Sequence, residues 1–162
     1  MPAKFTAPEY APILERLQAA GVPVEASGHR LATYSYDASN YRIPPVGVVF
    51  PRSVDDVVAV MAVCRETDTA LISRGGGTSM AGNAIGPGIV LDFSRHMNRI
   101  ITIDETAGTA DVEAGVVLAQ LTRETEHATG GSLTFAPDPS SKNRATIGGA
   151  IGNDACGNHS VR

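Results

Sequence analysis

The chain has 162 residues, the size of a single domain, and a chain near that length can bury roughly 68–70% of its unfolded surface. Hydrophobic residues make up 43% and charged residues 19%, a globular balance that excludes disorder. A net charge of −4, 5% aromatic residues and no Trp argue against a basic or base-stacking nucleic-acid binder.

Residues 9–20 carry apolar Ile13, Leu14 and Leu17 ahead of Gly21 and Pro23, which predicts an amphipathic helix with a stop. The same region is interrupted by Pro8, Pro12 and Pro23 and carries Glu9, Glu15 and Arg16, unlike a signal peptide. No apolar run approaches the ~18 residues needed to span a bilayer. Residues 22–46 show little periodicity and read as mostly extended chain. Val46 to Phe50 is a continuous apolar run, as expected of a buried strand. Pro51 ends it. Ser53 is placed to cap a helix running to about Thr67, with Asp55 and Asp56 in the first turn, where the helix dipole favours acids. Ala70 to Ser73 and Ile89 to Phe93 read as further strands, separated by a glycine loop. Residues 99–104 and 109–114 flank Ala107-Gly108 as a hairpin. Residues 116–128 predict a helix closed by Gly130 and Gly131. A loop rich in Pro and Ser then leads to a second glycine cluster at 146–157. No repeat and no linker divides the chain.

Ten of the 17 glycines fall in two windows, six in 75–88 and four in 148–157. In the first, RGGGTSMAGN at 74–83 follows a predicted strand. Consecutive glycines let backbone N–H groups turn toward one point, a nest that suits phosphate. Thr78 and Ser79 add hydroxyls and Arg74 a charge. The Rossmann pattern G-x-G-x-x-G fails, because Met80 stands at its third glycine. The Walker pattern fails as well, because Asn83 and Ala84 follow Gly82 where Lys and Ser or Thr are required. In the second window, Thr146, Gly148, Gly149 and Gly152 are expected to expose amides again, with Asn153, Asn158 and His159 supplying polar groups. The two clusters could serve one extended ligand such as a dinucleotide. The blander reading of each is a tight turn packed against a strand.

RGGGTSMAGN together with TIGGAIGNDACG resembles the FAD-binding PCMH-type domain of the vanillyl-alcohol oxidase/p-cresol methylhydroxylase flavoproteins. It is most similar to the FAD-linked oxidases of the glycolate oxidase and D-lactate dehydrogenase branch. YDASNYRIPPVGVVFPRSVDDVVAVM, residues 36–61, looks like the opening of that domain. The resemblance covers about residues 30–162. It implies an α+β fold of two subdomains with FAD between them, of which 31–162 is the N-terminal portion, while residues 1–30 are read from their own pattern as a helical lead-in. By the same resemblance, Arg74, Gly75, Gly76, Gly77, Thr78 and Ser79 wrap the FAD pyrophosphate and Asn83 closes the loop. Pro137, Ser140, Thr146, Gly149, Gly152 and Asn153 fall along a second FAD-contacting segment.

The family's FAD domain continues beyond this point and is followed by a substrate cap, so the chain looks like an N-terminal fragment that is inactive alone. NDACGNHSVR is similar to large members with an iron–sulfur domain downstream. The implied activity is FAD-dependent dehydrogenation of a 2-hydroxy acid such as lactate, glycolate or 2-hydroxyglutarate. Two alternatives stay open: another enzyme on the same fold, of the cell-wall precursor reductase type, or an interaction module that binds no flavin.

The catalytic base is not assigned. His29 is expected in a loop, His96 after a strand and His127 at a helix end, all as surface or capping residues, with His159 the one that falls in a flavin motif. Cys64 is expected in the core and Cys156 as a small packed residue. Two distant cysteines give neither a metal site nor a disulfide framework, which implies a reducing cytoplasm, with peripheral membrane association open to the full-length enzyme. Asp104, Glu105, Asp111 and Glu113 read as the solvated face of a hairpin rather than a metal site. Sheet edges left open by missing strands would favour self-association.

Overall fold

A computed structural model describes residues 10–160. Glu9, the first residue of the predicted lead-in helix, and the ends of the predicted domain boundaries lie outside the described residues. The chain divides into two compact units, one up to Asp92 and one from Phe93.

The first unit is built as α1 (Ala11–Ala19), β1 (Val24–Glu25), α2 (Gly28–Thr33), β2 (Gly47–Val49), α3 (Val54–Glu66), β3 (Leu71–Arg74) and β4 (Ile89–Asp92). Its sheet runs in the order β1-β2-β4-β3. β1 is antiparallel to β2, whereas β2, β4 and β3 are parallel. Every residue of β2 and β4 is buried. That is why both read as unbroken apolar runs: a strand covered on two faces cannot alternate with polar residues. α1 buries Ile13 and Leu17, four residues apart on one face, and packs on α3.

α3 begins where its capping chemistry predicts. The Ser53 hydroxyl accepts the Asp56 N–H at 3.2 Å, and the Asp56 carboxylate accepts the Arg52 N–H at 2.7 Å. The Asp56 N–H, which the helix itself cannot satisfy, is thereby paired, and the Arg52 N–H ahead of the cap is tied to the first turn. Ser53→Ala is expected to cost about 1 kcal/mol. A urea midpoint equal to that of the parent would remove the cap from the account.

The extended reading of residues 22–46 is corrected by α2. The Ser27 hydroxyl accepts the Arg30 N–H at 3.3 Å and starts this helix. Leu31 is its one buried residue, so no periodic pattern could announce it. His29 therefore lies in a helix and not in a loop.

The second unit holds β5 (Ile100–Asp104), β6 (Thr109–Val112), α4 (Leu118–Ala128) and α5 (Ile147–Gly152). β5 and β6 form the predicted hairpin, with the Asp104 carboxylate accepting the Ala107 N–H at 2.9 Å and Gly108 at φ +63°. Val116, Leu118, Leu121, Ala145, Ile147 and Ala150 make the core. α4 starts at Leu118 rather than at residue 116 because Val117 bridges to Thr146. Glu113 departs from the solvated reading. Its carboxylate takes the Arg99 side chain at 2.7 and 3.1 Å and the Arg99 N–H at 2.8 Å. Those bonds hold its pKa below the ordinary carboxylate value.

Candidate cofactor-binding site

In the first unit the three parallel strands end side by side, and the loops that follow their carboxyl ends are where such sheets place ligands. Arg74, the last residue of β3, is in register with Asp92, the last residue of β4. Asp92 is buried and accepts the Tyr34 hydroxyl at 2.7 Å. Burial raises the Tyr34 phenol pKa, and the Asp92 bond raises it further, so the phenol stays a neutral donor. The Arg74 guanidinium lies 4.9 Å from the Tyr34 ring centre. Its Nη1 donates to the carbonyl oxygens of Tyr36 at 2.9 Å and Ala84 at 3.0 Å. The guanidinium thus bonds one carbonyl at the loop's end and one, that of Tyr36, outside the loop.

The glycine loop leaves β3 at Gly75. Gly77 and Gly82 hold φ of +66° and +82°, the left-handed region that glycine enters without strain. The Ser79 hydroxyl accepts the N–H groups of Ala81 at 3.2 Å and Asn83 at 3.1 Å. This closes the far half of the loop. The N–H groups of Gly76, Gly77, Thr78 and Ser79 find no acceptor among the described residues. Gly76 and Asn83 are exposed, and Thr78 and Ser79 are half-buried. A run of unspent donors on a glycine backbone fits an anionic group that needs several close N–H contacts.

The second segment is built differently. Thr146 is buried and caps α5, its hydroxyl accepting the Gly149 N–H at 3.4 Å. Ile147 and Gly148 donate their N–H groups to the carbonyls of Val116 and Ala114 at 2.8 and 2.9 Å. The amides of Gly148 and Gly149 are therefore used inside the unit and do not face outward as the sequence reading expected. Pro137 is half-buried, and Ser140, Gly149, Gly152 and Asn153 are exposed. The His159 ring Nδ1 lies 2.5 Å from the Asp138 carboxylate, which also accepts the His159 N–H at 3.0 Å. This hydrogen bonding holds the Asp138 carboxyl below its ordinary pKa. Sequence reasoning passed over Asp138, whose only signal was an acid between two prolines. Cys64 is buried as expected, whereas Cys156 is exposed and not packed.

Among the described residues, no helix is long and apolar enough to cross a membrane. Sequence reasoning also missed Tyr34, Asp37 and Asp92, because their partners are distant in the chain.

The fold is the PCMH-type α+β fold of flavoprotein FAD domains. An alkyldihydroxyacetonephosphate synthase structure superposes with a TM-score of 0.77 at 21% identity, covering 94% of this chain and 33% of that one. p-Cresol methylhydroxylase superposes with a TM-score of 0.73 at 22% identity, covering 95% of this chain and 30% of that one. At the level of sequence, residues 45–162 match the FAD binding domain family, and the chain belongs to it. It is 45% identical over 132 residues to a D-2-hydroxyglutarate dehydrogenase of Escherichia coli strain K12, covering 80% of this chain and 13% of that protein. It is 38% identical over 127 residues to glycolate oxidase subunit GlcD of Bacillus subtilis strain 168, covering 76% of this chain and 26% of that protein. The chain thus spans a minor part of the length of these relatives. FAD is the family's cofactor, and the loop of unspent amides after β3 fits its pyrophosphate.

Proposed function

We propose that the chain is the FAD-binding portion of a flavin-dependent dehydrogenase that oxidises a 2-hydroxy acid, 2-hydroxyglutarate, glycolate or lactate being the candidate class. The observation that carries the reading is the loop from Gly75 to Asn83, with adjacent amides lacking internal acceptors. Identity of 45% to a D-2-hydroxyglutarate dehydrogenase supports the substrate class. In this reading Gly75, Gly76, Gly77, Thr78 and Ser79 hold the pyrophosphate, with Asn83 at the loop's end. Pro137, Ser140, Gly149, Gly152 and Asn153 are further cofactor contacts, and Thr146 shapes its segment from within. When bound, FAD supplies the two-electron acceptor for the α-carbon hydrogen. The role of this chain is to bind and orient it; the base and the carboxylate-binding group are not assigned to any residue here. Two free cysteines support a reducing cytoplasm as the compartment.

The test is equilibrium binding of FAD to the purified chain, read by quenching of flavin fluorescence. Saturable quenching, reversed by excess ADP but not by riboflavin, is expected, because ADP carries the pyrophosphate and riboflavin does not. A folded chain that quenches nothing at about 1 mM FAD, where binding free energy is only about −4 kcal/mol, would overturn the placement of the site.

A further inference from the structure

The run YSYDASNY, residues 34–41, has no part in the cofactor contacts described above, yet it grips the glycine loop along its length. The Ala38 N–H donates to the Gly77 carbonyl at 3.1 Å. The Asp37 carboxylate accepts the Ala84 N–H at 3.3 Å through one oxygen and the Ser39 N–H at 2.9 Å through the other. The Ser39 hydroxyl in turn accepts the Tyr41 N–H at 3.1 Å. The Tyr41 ring then stands where a side chain at Gly82 would lie, 3.0 Å from its Cβ position. From the opposite side, Arg74 bonds the carbonyls of Tyr36 and Ala84, and so ties the run to the start and the end of the loop at once.

These contacts have a consequence for the amides. A trans peptide points its C=O and its N–H in opposite directions. Capturing the Gly77 carbonyl with the Ala38 N–H therefore turns the Thr78 N–H away from the run. We infer that Asp37 and Arg74 form a clasp that presents the Gly76 to Ser79 amides to the FAD pyrophosphate. Both act through the loop as positioning residues. Arg74 acts by donating to the backbone carbonyls of Tyr36 and Ala84. The inference rests on the reading of this loop as the pyrophosphate site. Burial raises the Asp37 pKa, but the bonds from Ser39, the Ala84 N–H and the Arg74 charge outweigh it and leave the carboxyl below its ordinary value. The group is thus a carboxylate at neutral pH, as a double acceptor requires.

Asp37→Asn separates this role from simple electrostatics. Removing a negative charge near an anion site would by Coulomb's law strengthen binding. Loss of a charge-assisted joint predicts the opposite: ADP and FAD each weakened about tenfold, within the usual worth of a hydrogen bond to a charged group. Unchanged or tighter binding by this variant overturns the clasp.

Amide hydrogen exchange of the apo chain gives a second readout, free of any ligand. In Asp37→Ala and Arg74→Met, protection is expected to fall at Ala84 and also at Ala38, whose acceptor is not the Asp37 side chain. The urea midpoint is measured beside it, and the loss at Ala84 and Ala38 should exceed the loss at core amides such as Val90. If Ala38 keeps its protection, the two bonds are independent and there is no clasp. Should Arg74→Met weaken FAD while both amides stay protected, Arg74 acts on the phosphate directly and the inference fails. A parent chain that binds neither ADP nor FAD defeats the proposed function and the cofactor role of the clasp together. A parent that binds both, beside an Asp37→Asn variant that binds equally well, defeats the clasp alone.

Discussion

Gly76→Asp is expected to weaken FAD binding by about a hundredfold or more while leaving the fold intact. Two unit charges about 4 Å apart repel by roughly 4 kcal/mol at an effective dielectric near 20. Gly76 is exposed, so solvent screening reduces this, and about a hundredfold remains as the lower expectation. Gly76→Asn is the matched control. It has the same size and no charge, and it should lose far less. Flavin fluorescence titrations of the two variants at equal salt give the comparison, and the gap between them should narrow as salt rises. Equal affinities for parent and Asp variant would place the pyrophosphate away from these amides. A loss common to Asp and Asn would mean that bulk rather than charge matters at this position.

The second large effect is on stability. Gly88 is buried immediately before β4, at the point where three chain segments meet. Its carbonyl accepts the Val46 N–H at 2.8 Å, and the next residue, Ile89, donates to the Ala70 carbonyl at 2.9 Å. A Cβ on Gly88 would collide with that same Ala70 carbonyl. The obstacle is backbone, which has no alternative rotamer to adopt. Relief would require β3 and β4 to part where their pairing begins. Gly88→Ala is therefore expected to destabilise the chain by about 3 kcal/mol, the upper part of the range for overpacked sites. The measurement is the urea midpoint with the slope unchanged. A midpoint within error of the parent would show that the strands can separate there at little cost.

Several parts of the architecture were legible because a single local cause sufficed. β2 and β4 are apolar without alternation since both their faces are covered. α3 starts at Ser53 because a hydroxyl and two acids are placed where a helix start needs them. The hairpin follows from Gly108, and the first loop from three adjacent glycines. α2 was not legible. Ser27 announces it, but one buried leucine makes no period. The second glycine cluster was read as exposed amides, and in the structure it is a six-residue helix. Its first N–H groups go to Ala114 and Val116, acceptors that local pattern cannot supply.

The same division runs through the candidate site. Residue types and spacing determined by themselves that a glycine loop follows β3, because the glycines are neighbours in the chain and Gly77 and Gly82 take left-handed backbone without strain. Tertiary structure alone decided what aims its amides. Arg74 reads in the sequence as a charge beside a phosphate loop. In the fold it donates to carbonyls 10 and 38 residues away, and Asp37 accepts an amide 47 residues away. Hydrogen-bond partners of that separation are set by how β2, β4 and β3 lie side by side. Strand order is fixed by the burial of whole faces, which no local window of sequence records.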